Sequence, residues 1–433
     1  MILYKSSFIL STGEKIFKDA GLLVKNGTIF DLLSEDQIKN SCNENYAEVI
    51  DFGNAVITPG FVNLHTHLQY TDLKPVFKQG KAPENIDFTD WIMNLIKQYY
   101  FWSKSKKLKS FKNGLRETVL SGCTCIAQLS MEDFFIDVLN NLDLKSFVFL
   151  ETFSNSEETS KKEIKKLKEQ IKKIQRDASN NVTIGISPHS VYNAHKTLWE
   201  EIARFSAEQN ILVHTHLAES KDEINWLNGE HSNIDKIHKL VGWNRMKPYE
   251  TGLNPVEYLE KLGVLSIFKE NLTAAHCIEL DEKALEKLVN YGTKIAHCPR
   301  SNMLLHGKTL DFNKMPKFIL QNTGIGTDSK FSNYDLSILN ESRSAKDCTG
   351  LDFQNLLNML TINAAHILKI DDKTGSLEKD KDADFLVFKL IDNENYQDIL
   401  NKQRPDNIFI KGKLIAKNGK FTSKQWEFLN EPE

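Results

Sequence analysis

Cysteine is scarce in this chain of 433 residues: six are present, Cys42, Cys123, Cys125, Cys277, Cys298 and Cys348. So few in so long a chain exclude a disulfide scaffold and point to a reducing cytoplasm. Glycine (21) and proline (10) are also sparse, which excludes collagen-like and low-complexity classes. No apolar run approaches the ~20 residues that cross a bilayer. The segment Met1-Ile2-Leu3-Tyr4-Lys5 does not lead from a basic region into a cleavable apolar one, so it reads as a first strand rather than a leader. Positive charge is not in excess either. The 55 Lys and Arg stand against 58 Asp and Glu, a net charge of −3, which gives no support to a nucleic-acid partner. What the sequence does contain is histidine, twelve in all. Histidine is the commonest metal ligand and acid–base group, so its placement decides the reading.

Both ends of the chain read as short strands and turns. Near the start, Gly21–Val24 and Thr28–Phe30 flank Asn26-Gly27, a hairpin signal. Near the end, Ala383–Phe388, Ile408–Ile410 and Leu414–Ala416 repeat the pattern. Neither end has enough apolar strand for a core of its own, so residues 1–54 and 371–433 are expected to combine into one small β-domain. Between them, eight apolar runs alternate with helical stretches. The runs are Ala55–His67, Cys123–Gln128, Ser146–Glu151, Val182–His189, Ile211–His216, Leu272–His276, Lys294–Cys298 and Ile325–Asp328. Eight such units over residues 55–370 predict an α/β fold, a (β/α)8 barrel of the TIM type. The lysine-rich stretch Ser160–Arg176 reads as the solvated face of an outer helix.

The histidines fall at the C-terminal ends of these runs, the end that carries the active site in such barrels. His65-Thr66-His67 follows an apolar run and a Pro-Gly pair. Residues i and i+2 share a strand face, so both imidazoles can hold one ion. His216, in His214-Thr215-His216, can supply a third. Glu219, three residues on, can reach a water on the ion without becoming a ligand. His214 lies deeper and is assigned a packing role. His276 ends the sixth run, where a hydrogen-bonded structural histidine is the alternative. Asp328, in Gly-Thr-Asp-Ser, either caps a helix or places a carboxylate at the metal.

Four such motifs in this order resemble the amidohydrolase superfamily, in its cytosine/adenosine-deaminase branch, over nearly the whole chain. That branch includes S-adenosylhomocysteine/methylthioadenosine deaminases, aminofutalosine deaminases and triazine hydrolases. The resemblance implies a metallo-hydrolase barrel with a β-sandwich built from both termini. It also implies that His65, His67, His216 and Asp328 bind one divalent metal: zinc first, with iron or manganese as alternatives. Glu219 would be the proton shuttle, His276 would orient the attacking water together with Asp328, and His189 would contact substrate. The fourth run ends in Ser187-Pro188-His189, without the bridging lysine or acid of dinuclear members, hence one ion.

The implied activity is hydrolytic deamination of a 6-aminopurine nucleoside, with 6-amino-6-deoxyfutalosine as a candidate. The alternatives are another amino- or halo-substituted heterocycle (guanine, cytosine, a triazine) or a cyclic amide. Gln69 stands where many aminofutalosine-type relatives carry Glu. In the aromatic-rich stretch Gln69–Trp102, Tyr70 and Trp91 are the candidate substrate contacts, although most of these side chains are expected to pack in a helix. Arg300 is expected either to pair with an anionic substrate group or to serve structure. The partner expected is a small heterocyclic substrate, with no nucleic acid and no membrane; the reading admits a homodimer.

Overall fold

The computed structural model of the chain describes residues 1–40, 46, 48–74, 87–243, 246–312 and 315–430. Cys42 and residues 75–86 of the aromatic-rich stretch lie outside these. Seventeen strands form two sheets among the described residues. The first sheet draws on both termini. From the N-terminal side come β1 (Ile2–Leu10), β2 (Ile16–Lys25), β3 (Thr28–Leu33), β4 (Glu48–Asp51) and β5 (Ala55–Pro59).

The second sheet is parallel and eight-stranded: β6 (Phe61–Thr66), β7 (Cys123–Ser130), β8 (Lys145–Thr152), β9 (Val182–Pro188), β10 (Val213–Leu217), β11 (Leu272–His276), β12 (Lys294–His297) and β13 (Thr323–Ile325). The C-terminal strands β14 (Phe385–Lys389), β15 (Asn407–Ile410), β16 (Lys413–Lys417) and β17 (Lys420–Phe421) return to the first sheet, β14 pairing antiparallel with β5. The fold is thus a (β/α)8 barrel beside a small sheet built from both ends of the chain.

One expected strand divides. The sequence predicts a single strand over the run Ala55–His67. Instead β5 belongs to the terminal sheet and β6 opens the barrel. The break falls at Gly60, where a Cβ would sit 2.0 Å from Thr124 Oγ1, so only glycine lets the chain cross β7 there. Gly60 N–H donates to Asp384 O and Phe61 N–H to Gly122 O, both at 3.0 Å. Asp384 also takes an ion pair from Lys145 at 2.5 Å, with Asp382 at 2.6 Å. A barrel strand is thereby tied to the chain that enters β14. Both carboxylates push the buried Lys145 ammonium up against the opposing effect of burial.

The barrel strands are buried on both faces, as expected for a parallel sheet covered by helices. Their interior side chains include Val62, Leu64, Ala127, Phe147, Phe149, Ala275 and Ala296, closed below by Ala364 and Ile367 of helix Ile362–Ile367. The lysine-rich stretch forms helix Glu157–Asp177. Ile164, Leu167, Ile171 and Ile174 face inward, and Lys161 and Lys162 pair with Glu157 and Glu158 in water. No helix among the described residues is long and apolar enough to cross a membrane.

Closure of the barrel positions the site. Thr66 bridges Asp328 in parallel, and Asp328 N–H donates to His65 O at 2.9 Å. Gly326 makes that approach feasible, since a Cβ there would meet His65 Cβ at 2.6 Å and His65 N at 2.8 Å.

Candidate active site

The strand ends turn sharply at the barrel mouth. Ala218, His276, Cys277 and Asp328 all adopt positive φ, between 51° and 69°. Such conformations cost energy and survive only where surroundings enforce them, as functional sites do. Asp328 lies past the end of β13, and its φ of 55° aims its carboxyl back over β6.

Four groups from three distant parts of the chain converge there. His67 Nε2 and His216 Nε2 lie 3.3 Å apart. Asp328 Oδ1 is 3.7 Å from His65 Nε2 and 3.8 Å from His67 Nε2. Two imidazole nitrogens at 3.3 Å need a proton or a cation between them. The other atoms of these groups are already committed. His216 Nδ1–H donates to His189 O at 3.0 Å, which leaves Nε2 as the free lone pair. Asp328 Oδ2 accepts from Ser301 Oγ at 2.6 Å and Ser332 Oγ at 2.7 Å, which leaves Oδ1. His65 Nε2 is buried and has no hydrogen-bond partner. Orphaned buried acceptors facing one point fit a divalent cation, and supporting hydrogen bonds of this kind orient metal ligands.

Glu151, His189 and His216 form a second convergent trio. It shares His216, whose single available nitrogen cannot serve two ions at once.

Glu219 stands beside this cluster. Its Oε1 is 3.8 Å from His276 Nε2 and 3.7 Å from His306 Nε2. Burial alone would raise its carboxyl. The imidazoles of His276, His306 and His216 outweigh that and hold it below its ordinary value. His276 Nδ1–H donates to Asn302 Oδ1 at 2.8 Å, turning Nε2 toward Glu219. Asp328 is held well below the usual carboxylate range by His65, His67 and His276, again against burial.

A cavity of about 430 Å³ opens above these groups, with walls mostly apolar. One wall is helix Phe88–Tyr100, capped by Asp87, which accepts from Thr89 N and Asp90 N. Phe88, Trp91, Ile92, Leu95, Ile96 and Tyr99 recur at helical spacing and face the cavity. The expected packed helix and the expected substrate wall are therefore the same element. Tyr70 stacks on His67 at 5.5 Å, and Trp91 stacks on Phe331 while donating to its carbonyl at 3.1 Å. His189 lines the cavity as well.

Arg300 does not. Helix Pro299–His306 turns its guanidinium to Asp335, at 2.8 and 3.2 Å, and toward Glu341 at 3.6 Å. The expected pairing with substrate gives way to a structural ion pair, because two carboxylates already meet it. Gln69 is also turned away, its amide held between Leu129 O and Gln128. His214 lies beneath the site as expected, with Nε2 on Leu64 O at 3.3 Å and its ring against Phe149.

Three further residues at the site carry little or no signal in the sequence. Glu223 accepts from Ala218 N at 2.9 Å and Glu219 N at 3.1 Å, so it fixes the turn that carries Glu219. His306 reaches Glu219 from helix Pro299–His306. Glu151 faces the cavity, and burial, with Glu132 and Asp328 nearby, pushes its carboxyl up to about 8. Of the three, only Glu151 left a trace in the sequence, as an acid at the end of an apolar run.

Six buried histidines (His65, His67, His189, His214, His216 and His297) are held below their ordinary value of 6.5, in each case by burial first. His67 and His297 fall to about 3. As pH drops through 6.5 the unfolded chain takes up protons that the fold refuses. The histidine contribution to stability is therefore full above about pH 6.5 and lost below it, each group contributing up to ~1.4 kcal/mol per pH unit. Glu151, Glu223 and Glu341, each pushed up to about 8 by burial, act in the opposite direction and add stability as pH falls from 8. Chelator-treated protein should therefore show a urea midpoint that falls only between about pH 6 and pH 5, where the six histidines outnumber the three carboxyls. A midpoint that stays level or rises between about pH 6 and pH 5 would refute the assignment.

The comparisons agree with this architecture. The model of the Amidohydrolase family matches residues 56–415. The chain is 27% identical to the 5-methylthioadenosine/S-adenosylhomocysteine deaminase of Bacillus cytotoxicus, over 89% of this chain and 84% of that protein. It is 25% identical to the 5'-deoxyadenosine deaminase of Methanopyrus kandleri, over 95% and 93%. Among solved structures, Helicobacter pylori aminofutalosine deaminase in complex with methylthio-coformycin superposes with a TM-score of 0.82 at 20% identity, over 96% of this chain and 100% of that one. With the family model spanning the whole barrel and part of the terminal sheet, the chain belongs to the amidohydrolase family.

Proposed function

We propose that the protein is a metal-dependent hydrolytic deaminase of 6-aminopurine nucleosides, with 6-amino-6-deoxyfutalosine and 5'-deoxy or 5'-methylthio adenosines as the candidate substrates. The observation that carries this reading is the convergence of His65, His67, His216, Asp328 and Glu219 on the floor of one apolar cavity. The named relatives, all deaminases of adenosine-type nucleosides, support it. The three histidines and Asp328 would hold one divalent ion, and this N/O donor set suits zinc. Such an ion supplies Lewis acidity that makes water a nucleophile near neutral pH.

The chain's own groups do the rest. Glu219 accepts the proton of the attacking water and delivers it to the ring nitrogen beside the attacked carbon, then assists the departure of ammonia. His276, oriented by Asn302, holds the attacking oxygen. His189 meets the ring edge, while Tyr70 and Trp91 flank its faces. Among the described residues one cation lines the cavity, Lys107, and it is paired with Glu132 at 2.6 Å. The apolar wall residues Phe88, Trp91, Ile92 and Leu95 suit an apolar or aromatic 5' group.

Ammonia release tests the proposal across adenosine, 5'-methylthioadenosine, S-adenosylhomocysteine, aminodeoxyfutalosine, guanine, cytosine and a lactam. The highest kcat/KM is expected on a 6-aminopurine nucleoside. Turnover confined to free bases, or to the lactam, would refute the reading.

A further inference from the structure

Glu151 is a polar group on the cavity wall that the chemistry leaves unused. It sits at the end of β8, the third barrel strand, partly exposed to the cavity. Its carboxyl oxygen and ring nitrogens of His189 and His216 lie within 4.8 Å of one another. Among the described residues, none forms a hydrogen bond or ion pair with this carboxyl. A carboxyl without a hydrogen-bond partner is costly in mostly apolar surroundings: Met131 and Phe153 on the same wall are apolar, and the phenols of Tyr70 and Tyr99 are nearby without bonding to it. The polar neighbour Asn193 is committed, since its amide donates to His189 Nδ1 at 3.3 Å alongside the Ser190 hydroxyl at 3.2 Å.

That commitment fixes the other half of the arrangement. With Nδ1 accepting, neutral His189 carries its proton on Nε2. The wall thus presents a donor and, beside it, an acceptor. A nucleoside offers the complement at one edge, with an acceptor ring nitrogen next to a sugar hydroxyl. Glu219 cannot fill this role, because it sits with His276 and His306.

We propose that Glu151 determines specificity for the sugar, its carboxyl accepting a hydrogen bond from a ribose hydroxyl while His189 donates to the adjacent ring nitrogen. This rests on the nucleoside reading above. The contact is made in ground state and transition state alike, so its loss falls mainly on KM.

The test compares wild type, Glu151→Gln and Glu151→Ala on adenosine, 2'-deoxyadenosine and 3'-deoxyadenosine. Wild type should prefer adenosine to one of the deoxy compounds by about 10- to 100-fold in kcat/KM. In both variants that preference should collapse toward one, through KM. A wild type that does not discriminate among the three overturns the proposal without any variant. So does a variant that keeps the full preference, or one whose losses are equal on all three compounds. A wild type that deaminates no nucleoside refutes the nucleoside reading itself, and this proposal with it. A gain on 2,6-diaminopurine riboside that depends on Glu151, with no hydroxyl preference, would assign the carboxyl to a ring amino group instead and overturn the sugar assignment.

Discussion

Glu219→Gln is expected to lower kcat by roughly 10³- to 10⁴-fold, the upper range for loss of a positioned acid–base group, while metal content and thermal midpoint stay at wild-type values. Glutamine keeps the volume of the side chain and an oxygen toward His276 and His306, whose Nε2 atoms lie 3.8 and 3.7 Å from Glu219 Oε1. What it cannot do is take a proton from water and return it to a ring nitrogen. KM should change little, because the substitution leaves the cavity shape intact. The charged form is the competent one at the start of the cycle. The neighbouring imidazoles hold the carboxyl below its ordinary value of 4.5, so the wild-type acid limb assigned to this group should lie below that value. Metal analysis beside steady-state kinetics decides the matter: activity within a few-fold of wild type would remove Glu219 from the proton path.

The turn beneath Glu219 explains why the residue can be so placed. Ala218 adopts φ of 51°, unfavourable for a residue with a Cβ. The turn is held by both oxygens of Glu223, which receive the N–H groups of Ala218 and Glu219. Glu219 is legible from its distance from His216, whereas Glu223 is not, since an acid in the first turn of a helix looks like any solvated one. The same asymmetry runs through the site. His65 and His67 were legible because a strand puts i and i+2 on one face. Asp328 was ambiguous because its role depends on a backbone turn after β13 that no propensity foretells. Arg300 stays open between substrate and structure in the sequence because its partners, Asp335 and Glu341, come from 35 and 41 residues downstream. At the level of the fold, eight apolar runs marked the barrel. The division of the first run at Gly60 was hidden because the steric cause, Thr124, belongs to another strand. His306 meets the site only through the barrel's closure, so its spacing carries no signal, and Glu151 shows only as an acid ending an apolar run.

His65→Ala should abolish both metal retention and activity, and the contrast with His214→Ala makes the outcome specific. Both histidines are fully buried, and their rings lie 4.9 Å apart, so truncation opens a similar void in each case. Their polar commitments differ. His214 Nε2 is on the Leu64 carbonyl at 3.3 Å, whereas neither ring nitrogen of His65 has a hydrogen-bond partner. Burying two such nitrogens in a barrel core is costly unless one of them holds an ion. Removing His65 leaves Asp328 Oδ1, His67 and His216 as an incomplete set. Affinity should then fall by more than about 10²-fold, the upper end of what loss of a merely supporting hydrogen bond costs. After dialysis against a weak chelator, wild type and His214→Ala should retain about one ion per chain and His65→Ala nearly none, with turnover following the metal. His65→Ala protein that still holds a stoichiometric ion would take this residue out of the ligand set. Equal losses in both variants would trace the effect to the void rather than to the missing donor.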